Sequence, residues 1–147
     1  MFNADTVKDK LFRLKQNSDF IDDLMKNRES ELRKDRPLYN GLEHLLQISI
    51  EIIIDIGSHL LAEGSHDTPS TYEQVILALG EYGIVNEKFA KAQADMARFR
   101  NLLVHDYDKT NPERVMEYAQ KAPEIFRTFG KAFVDYMEKN SEPKKKL

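Results

Sequence analysis

Apolar residues recur along this chain at the three- and four-residue spacing of helices, and no run alternates in the manner of a half-buried strand. From residue 5 to about 33, Val7, Leu11, Leu14, Ile21, Leu24, Met25 and Leu32 are spaced as one helical face, with Lys, Asp and Arg between them. That pattern predicts a first amphipathic helix. Asp35 and Pro37 supply a start signal for a second, expected to run to about Leu61 before Gly64 and the polar SHDTPS segment end it. In this helix Asn40, His44, Gln47, Glu51, Asp55 and Ser58 fall within one narrow stripe, while Leu42, Leu45, Leu46, Ile48, Ile50, Ile52, Ile53, Ile54, Ile56 and Leu60 cover nearly everything else. A helix that apolar must be buried on several sides, so it is expected at the centre of the fold.

Ser70 followed by Glu73 has the capping-box pattern and opens a short third helix, TYEQVILAL, which Gly80 and Gly83 interrupt. Asn86 is placed to cap a fourth, from Glu87 to about Val104, with Phe89, Ala92, Met96, Phe99 and Leu103 on one face. Asn111, Pro112 and Glu113 give a cap, a proline at the first helical position and an acid in the first turn of a fifth. Pro123 is expected to kink or break it, and Ile125, Phe126, Phe129, Phe133, Val134 and Met137 carry the apolar face on to about Lys139. The expected fold is all-α, an antiparallel bundle of four to five helices. Residues 1–140 are expected to form a single domain and 141–147, SEPKKKL, a flexible tail.

Composition narrows the function. The 147 residues include no cysteine, which removes disulfides, thiolate metal sites and cysteine nucleophiles and suits a reducing, cytoplasmic address. The N-terminus, MFNADTVKDKLFRLKQ, lacks the apolar core of a secretory signal. Leu45 to Leu61 is apolar, but Glu51 and Asp55 within it argue for a core helix rather than a membrane span. A net charge of −3 excludes a general nucleic-acid coat, so any RNA contact is local. Glu63 and His66 have the spacing of di-iron ligands, yet Gly64 lies between them and no second copy exists, so neither a metal nor another cofactor is expected.

The segment RNLLVHDY holds the densest chemistry. Arg100, four residues, His105, one residue and Tyr107 stand in a stretch where Lys88, Lys91, Arg98, Arg100, Lys109 and Arg114 outnumber Asp95, Asp106, Asp108 and Glu113. A bland reading remains open: a surface arginine, a histidine at the helix-end dipole and a tyrosine packed at a turn. If the helix runs straight, His105 points well away from Arg100; if the chain turns near His105, it swings toward the arginine. Arg98 is the competing arginine. The stripe His44, Gln47, Glu51 and Asp55 lines a cleft, forms a subunit contact or faces water; spacing does not choose among the three.

RNLLVHDY followed by NPERV, with LEHLLQISIEIIIDIGSHLL and TYEQVILALGEYGIV before it, resembles the HepT-like branch of the HEPN superfamily across most of the chain. The resemblance implies a metal-independent ribonuclease toxin acting as a homodimer on RNA, with tRNA and mRNA as candidate substrates. Arg100, Asn101 and His105 would be its catalytic residues. It also implies a minimal nucleotidyltransferase antitoxin, a separate chain that adds AMP to Tyr107. The residue types suit that chemistry. Metal-free RNA cleavage needs a proton taken from the 2′-hydroxyl, charge stabilised on the phosphorane and a proton given to the leaving 5′-oxygen. Histidine exchanges protons near neutral pH, and arginine offers phosphate a permanently charged fork. The alternative is a non-catalytic helical module that pairs with a nucleotidyltransferase or binds nucleotide.

Overall fold

The computed structural model describes residues 4–67, 69–105 and 111–141. Among them are seven helices: α1 (Ala4–Asn27), α2 (Glu29–Leu32), α3 (Arg36–Glu63), α4 (Tyr72–Glu81), α5 (Glu87–Gln93), α6 (Met96–His105) and α7 (Pro112–Ser141). Residues 142–147, most of the expected tail, lie outside the described residues.

The central helix is α3, which packs against α1, α4, α6 and α7. Ile50, Ile52, Ile53, Ile54 and Ile56 are each at most 5% exposed. By length and composition α3 could cross a membrane. Its isoleucines are instead consumed by neighbouring helices, which is the expected core placement. Opposite it, α7 contributes Phe126, Phe129 and Phe133, all fully buried. Val134, expected on the same face, is substantially exposed. Asp19 of α1 bonds Arg127 of α7, and Leu14 of α1 lies beside Gly130 of α7. Rising numbers on one side meet falling numbers on the other, so α1 and α7 are antiparallel. Lys10 pairs with Asp55 at 3.6 Å, far from the turn that joins the end of α1 to α3, so α1 is also antiparallel to α3.

Several helix ends follow the sequence signals. Asp35, Asn86 and Asn111 each accept a backbone N–H two or three residues on, from Leu38, Phe89 and Glu113. Four expectations need correction. The first helix is interrupted at Arg28 (φ −134°, ψ 23°), whose carbonyl then accepts the N–H groups of Glu31 and Leu32 to begin α2. This step carries Leu32 into the core at 2% exposure without any glycine or proline to mark it. The expected fourth helix is two: a turn at Ala94 and Asp95 separates α5 from α6, with Ala97 N–H reaching only Ala94 O at 3.5 Å. Consequently Ala90, Ala94 and Ala97 face the core, while Ala92 is exposed. Pro123 does not break α7, which runs unbroken past it with Ala119, Ala122 and Phe126 buried on either side. Tertiary burial there outweighs the lost hydrogen bond. Finally, the cap of α4 is Thr71, whose Oγ1 accepts from Gln74 N–H, rather than Ser70.

Candidate functional site

Arg100 and Asn101 lie in the middle of α6, whose apolar side, Met96, Phe99 and Leu103, is buried in the bundle. That packing places Arg100 at the boundary between the core and the surface, with its side chain 18% exposed. Its Nε donates to Glu51 Oε2 at 2.8 Å, and Nη2 approaches the same oxygen at 2.5 Å. Gln47, one turn earlier on α3, donates to that oxygen from Nε2 at 3.3 Å. The Tyr72 ring, at the first position of α4, lies 5.1 Å from the Arg100 guanidinium carbon. Arg100 Nη1 donates to Asn101 Oδ1 at 3.2 Å, and Asn101 itself is exposed. Three side chains from three helices thus meet one guanidinium, and a fourth, Gln47, bonds its carboxylate partner.

The polar stripe of α3 divides accordingly. Gln47 and Glu51 are half-buried beside Arg100, whereas His44 and Asp55 are exposed. The Glu51 carboxylate, costly to bury alone, is matched by a cation forty-nine residues away. Glu51 also borders an open groove between α1 and α3, of about 620 Å³, lined by Lys10, Phe12, Arg13, Ile48 and Asp55.

His105 is the last residue of α6 and is exposed. The helix therefore continues to it rather than turning beforehand. Five residues along an α-helix amount to about 140° of rotation, so His105 and Arg100 project from different sides of α6. Tyr107 lies outside the described residues. Arg98, the competing arginine, points elsewhere: it is largely exposed and sits 3.7 Å from Asp95. Glu63 and His66, weighed for a metal, part company as well, Glu63 pairing with His59 at 3.3 Å and His66 stacking on Tyr82 at 3.7 Å.

A second concavity of about 680 Å³ lies at the start of α7, between Arg33, Arg36, Tyr39, Glu43 and Pro112. Burial, with Glu43 alongside, pushes the Tyr39 phenol up to about 12, and burial also raises the Glu43 carboxyl. Arg33 closes its rim by a two-pronged pair with Glu113.

Glu51 and Tyr72 are the site residues that the motif alone did not reveal. The available signal was the acid inside an otherwise apolar helix, which demands a partner. No comparable sign marked Tyr72, because its contact depends on how α4 packs.

Comparison with known proteins identifies the family of the chain. A family model described as ribonuclease HepT-like matches residues 14–132. The tRNA nuclease HepT of Aphanizomenon flos-aquae is 36% identical over 73 residues, and that match spans half of each chain. The mRNA nuclease HepT of Shewanella oneidensis is 25% identical over 100 residues, 68% of this chain and 75% of that protein. Among solved structures, a tri-AMPylated Shewanella oneidensis HEPN toxin in complex with an MNT antitoxin superimposes with a TM-score of 0.81 at 22% identity, over 91% of this chain and 99% of that one. YutE from Bacillus subtilis, a cytosolic protein of unknown function, gives 0.78 at 19% identity over 96% and 94%. With the family model covering most of its length, the chain belongs to the HepT-like ribonuclease family.

Proposed function

We propose that this protein is a cytoplasmic, metal-independent endoribonuclease toxin whose working site is formed by two copies of α6. The observation that carries the reading is the Arg100 guanidinium, held at the surface with its Nη1 edge beside the exposed Asn101, within a family of ribonucleases. Arg100 would grip the scissile phosphate, Asn101 would position it, and His105 would move protons. The 2′-oxygen attacks phosphorus as its proton leaves, and the 5′-oxygen departs with a proton, giving a 2′,3′-cyclic phosphate and a 5′-hydroxyl end. One copy offers a single histidine on a different side of α6 from its arginine. A homodimer in which the two helices face each other supplies both proton carriers and sets each His105 against the opposite Arg100.

The partner that fits is a minimal nucleotidyltransferase. Adenylylation of Tyr107 joins AMP from ATP to the phenol oxygen and releases pyrophosphate. It puts a bulky anion two residues from His105, where it repels the substrate backbone by the logic of phosphorylation. Mass spectrometry after incubation with such an enzyme and ATP is expected to find AMP on Tyr107; fully neutralised protein with an unmodified tyrosine overturns this part.

For catalysis, His105→Ala is expected to lower RNA cleavage by about 10²-fold or more, the usual cost of losing a general acid or base. A 2′-deoxy nucleotide at the cut site should block cleavage, and efficient cutting of DNA rules the mechanism out. One observation favours a second reading, a non-catalytic module that binds a nucleotidyltransferase or a nucleotide: the Arg100 charge is already paired with Glu51. Purified dimer that leaves RNA intact but binds nucleotide in calorimetry would select it.

A further inference from the structure

Arginine carries a flexible side chain with about 2 kcal/mol of rotamer entropy, yet presents its donors in a rigid plane. An arginine that grips a transition state gains most when that plane is fixed before substrate arrives, because misplacement by about 1 Å costs on the order of 10²-fold in rate. Around Arg100 the fixing groups are on hand. Glu51 Oε2 accepts from Nε and has Nη2 within ion-pair distance, Gln47 donates to that same oxygen, and the guanidinium carbon lies over the Tyr72 ring. The edge left for a ligand is Nη1, with the second N–H of Nη2, next to Asn101. Arg98, largely exposed, shows the contrast with a carboxylate only at 3.7 Å, among the described residues.

We infer that Glu51 and Tyr72 are positioning residues for RNA cleavage: they hold the Arg100 guanidinium by one edge and one face so that its Nη edge meets the phosphate in a set orientation. The inference rests on the assignment of Arg100 as the phosphate clamp. Neither residue touches substrate. Glu51 acts through Arg100 from α3, and Tyr72 does so from α4. Glu51 also has a charge effect of the opposite sense, drawing Arg100 away from phosphate, so the direction of the change on mutation discriminates between a guide and a brake.

The test uses the full chain and bulk tRNA as the probe, with thermal unfolding run alongside. Glu51→Ala is expected to lower kcat by about 10²-fold with KM within about threefold of wild type, because loss of orientation is felt in the transition state. Glu51→Gln keeps an oxygen in place and should recover part of that loss. Tyr72→Phe retains the ring and should stay near wild type, whereas Tyr72→Ala should fall by about two- to fivefold, in the range of an exposed cation–π contact. A rise in rate for Glu51→Ala identifies a brake and overturns the inference, as does an unchanged rate.

Arginine Nε–H resonances in an NMR spectrum give a readout that needs no activity. Arg100 is expected to show a slowly exchanging Nε–H, assigned by its absence in Arg100→Lys. Glu51→Gln should shift that signal and speed its exchange. A signal indifferent to Glu51→Gln overturns the inference whatever the cleavage assay reports. If Arg100→Ala cleaves like wild type while the NMR signal responds to Glu51, the clamp assignment fails and the positioning role for cleavage falls with it. If Arg100→Ala is inactive and Glu51→Ala is not, only the positioning role fails.

Discussion

Gly80 sits in α4 where that helix meets α5, and a Cβ added there would lie 2.6 Å from the Ala90 Cβ and 3.0 Å from the Glu87 Cα. Carbon atoms in contact prefer about 3.5–4.0 Å, so Gly80→Ala must push the helices apart by about 1 Å. One obstacle is backbone and the other is the Cβ of a residue with no rotamer to change, so neither yields by a side-chain swing. Overpacking of this kind costs about 1–3 kcal/mol, offset by about 1 kcal/mol from replacing glycine within a helix. The net expectation is a loss of about 1 kcal/mol. Gly41, on the outer side of α3, supplies the control, because nothing lies within 4 Å of a Cβ built there. Gly41→Ala should keep the propensity gain alone and stabilise by about 0.5–1 kcal/mol. Equilibrium urea unfolding of both variants isolates the steric cost as their difference, about 1–3 kcal/mol. Adding Ala90→Gly to Gly80→Ala should recover part of the loss as a coupling between the two sites. Gly80→Ala at least as stable as Gly41→Ala would refute the close approach of α4 to α5.

Two further expectations concern a helix end and acid pH. At the end of α3 the left-handed position belongs to Ser65 (φ 64°), with Ser65 N–H bonded to Ala62 O and His66 N–H to Leu61 O; Ser65→Gly should raise the urea midpoint, by about 1 kcal/mol of stability, and an unchanged midpoint counts against that conformation. Arg127 holds the Asp19 carboxyl below its usual range, chiefly by hydrogen bonding and with help from Lys15, as Arg33 does for Glu113. Lowered folded-state values mean the stabilisation is complete above the unfolded carboxylate range, near pH 4, and lost as pH falls through the folded values. The raised Glu43 carboxyl has the opposite sign and favours the folded state on acidification. Arg127→Met should therefore flatten the loss of stability between pH 5 and about 2.5, and a slope equal to wild type would discount the Asp19–Arg127 pair.

The parts of the fold legible in the sequence were those governed by neighbours in the chain. Asp35, Asn86 and Asn111 cap the helices they precede because a side-chain oxygen needs to reach only two or three residues. The isoleucine-rich stretch from Leu42 to Leu60 announced its burial, as few other environments accept so much apolar surface. The interruptions at Arg28 and at Ala94–Asp95 carry no glycine or proline to mark them, and the breaks redirect Leu32 and Ala97 toward the core. Gly64 was the visible stop for α3, yet Ser65 takes the positive φ because the hydrogen-bond pattern places that burden one residue later. At the site, the order Arg100, Asn101, His105 could be read from the chain, while Glu51 could be read only as one member of a polar stripe that lines a cleft, forms a subunit contact or faces water. Which cation met it depended on how α6 packs on α3, a contact across forty-nine residues.

That contact has an evolutionary consequence. Glu51 is held in an apolar helix at the expense of its hydration, and Arg100 offsets this only while it stays charged and in reach. A descendant that lost the arginine would retain a carboxylate with no cation to match, and selection for stability would then favour an apolar or amide residue at position 51. Relatives should therefore change these two positions together, and an acid preserved opposite a missing arginine would point to some other ligand for it.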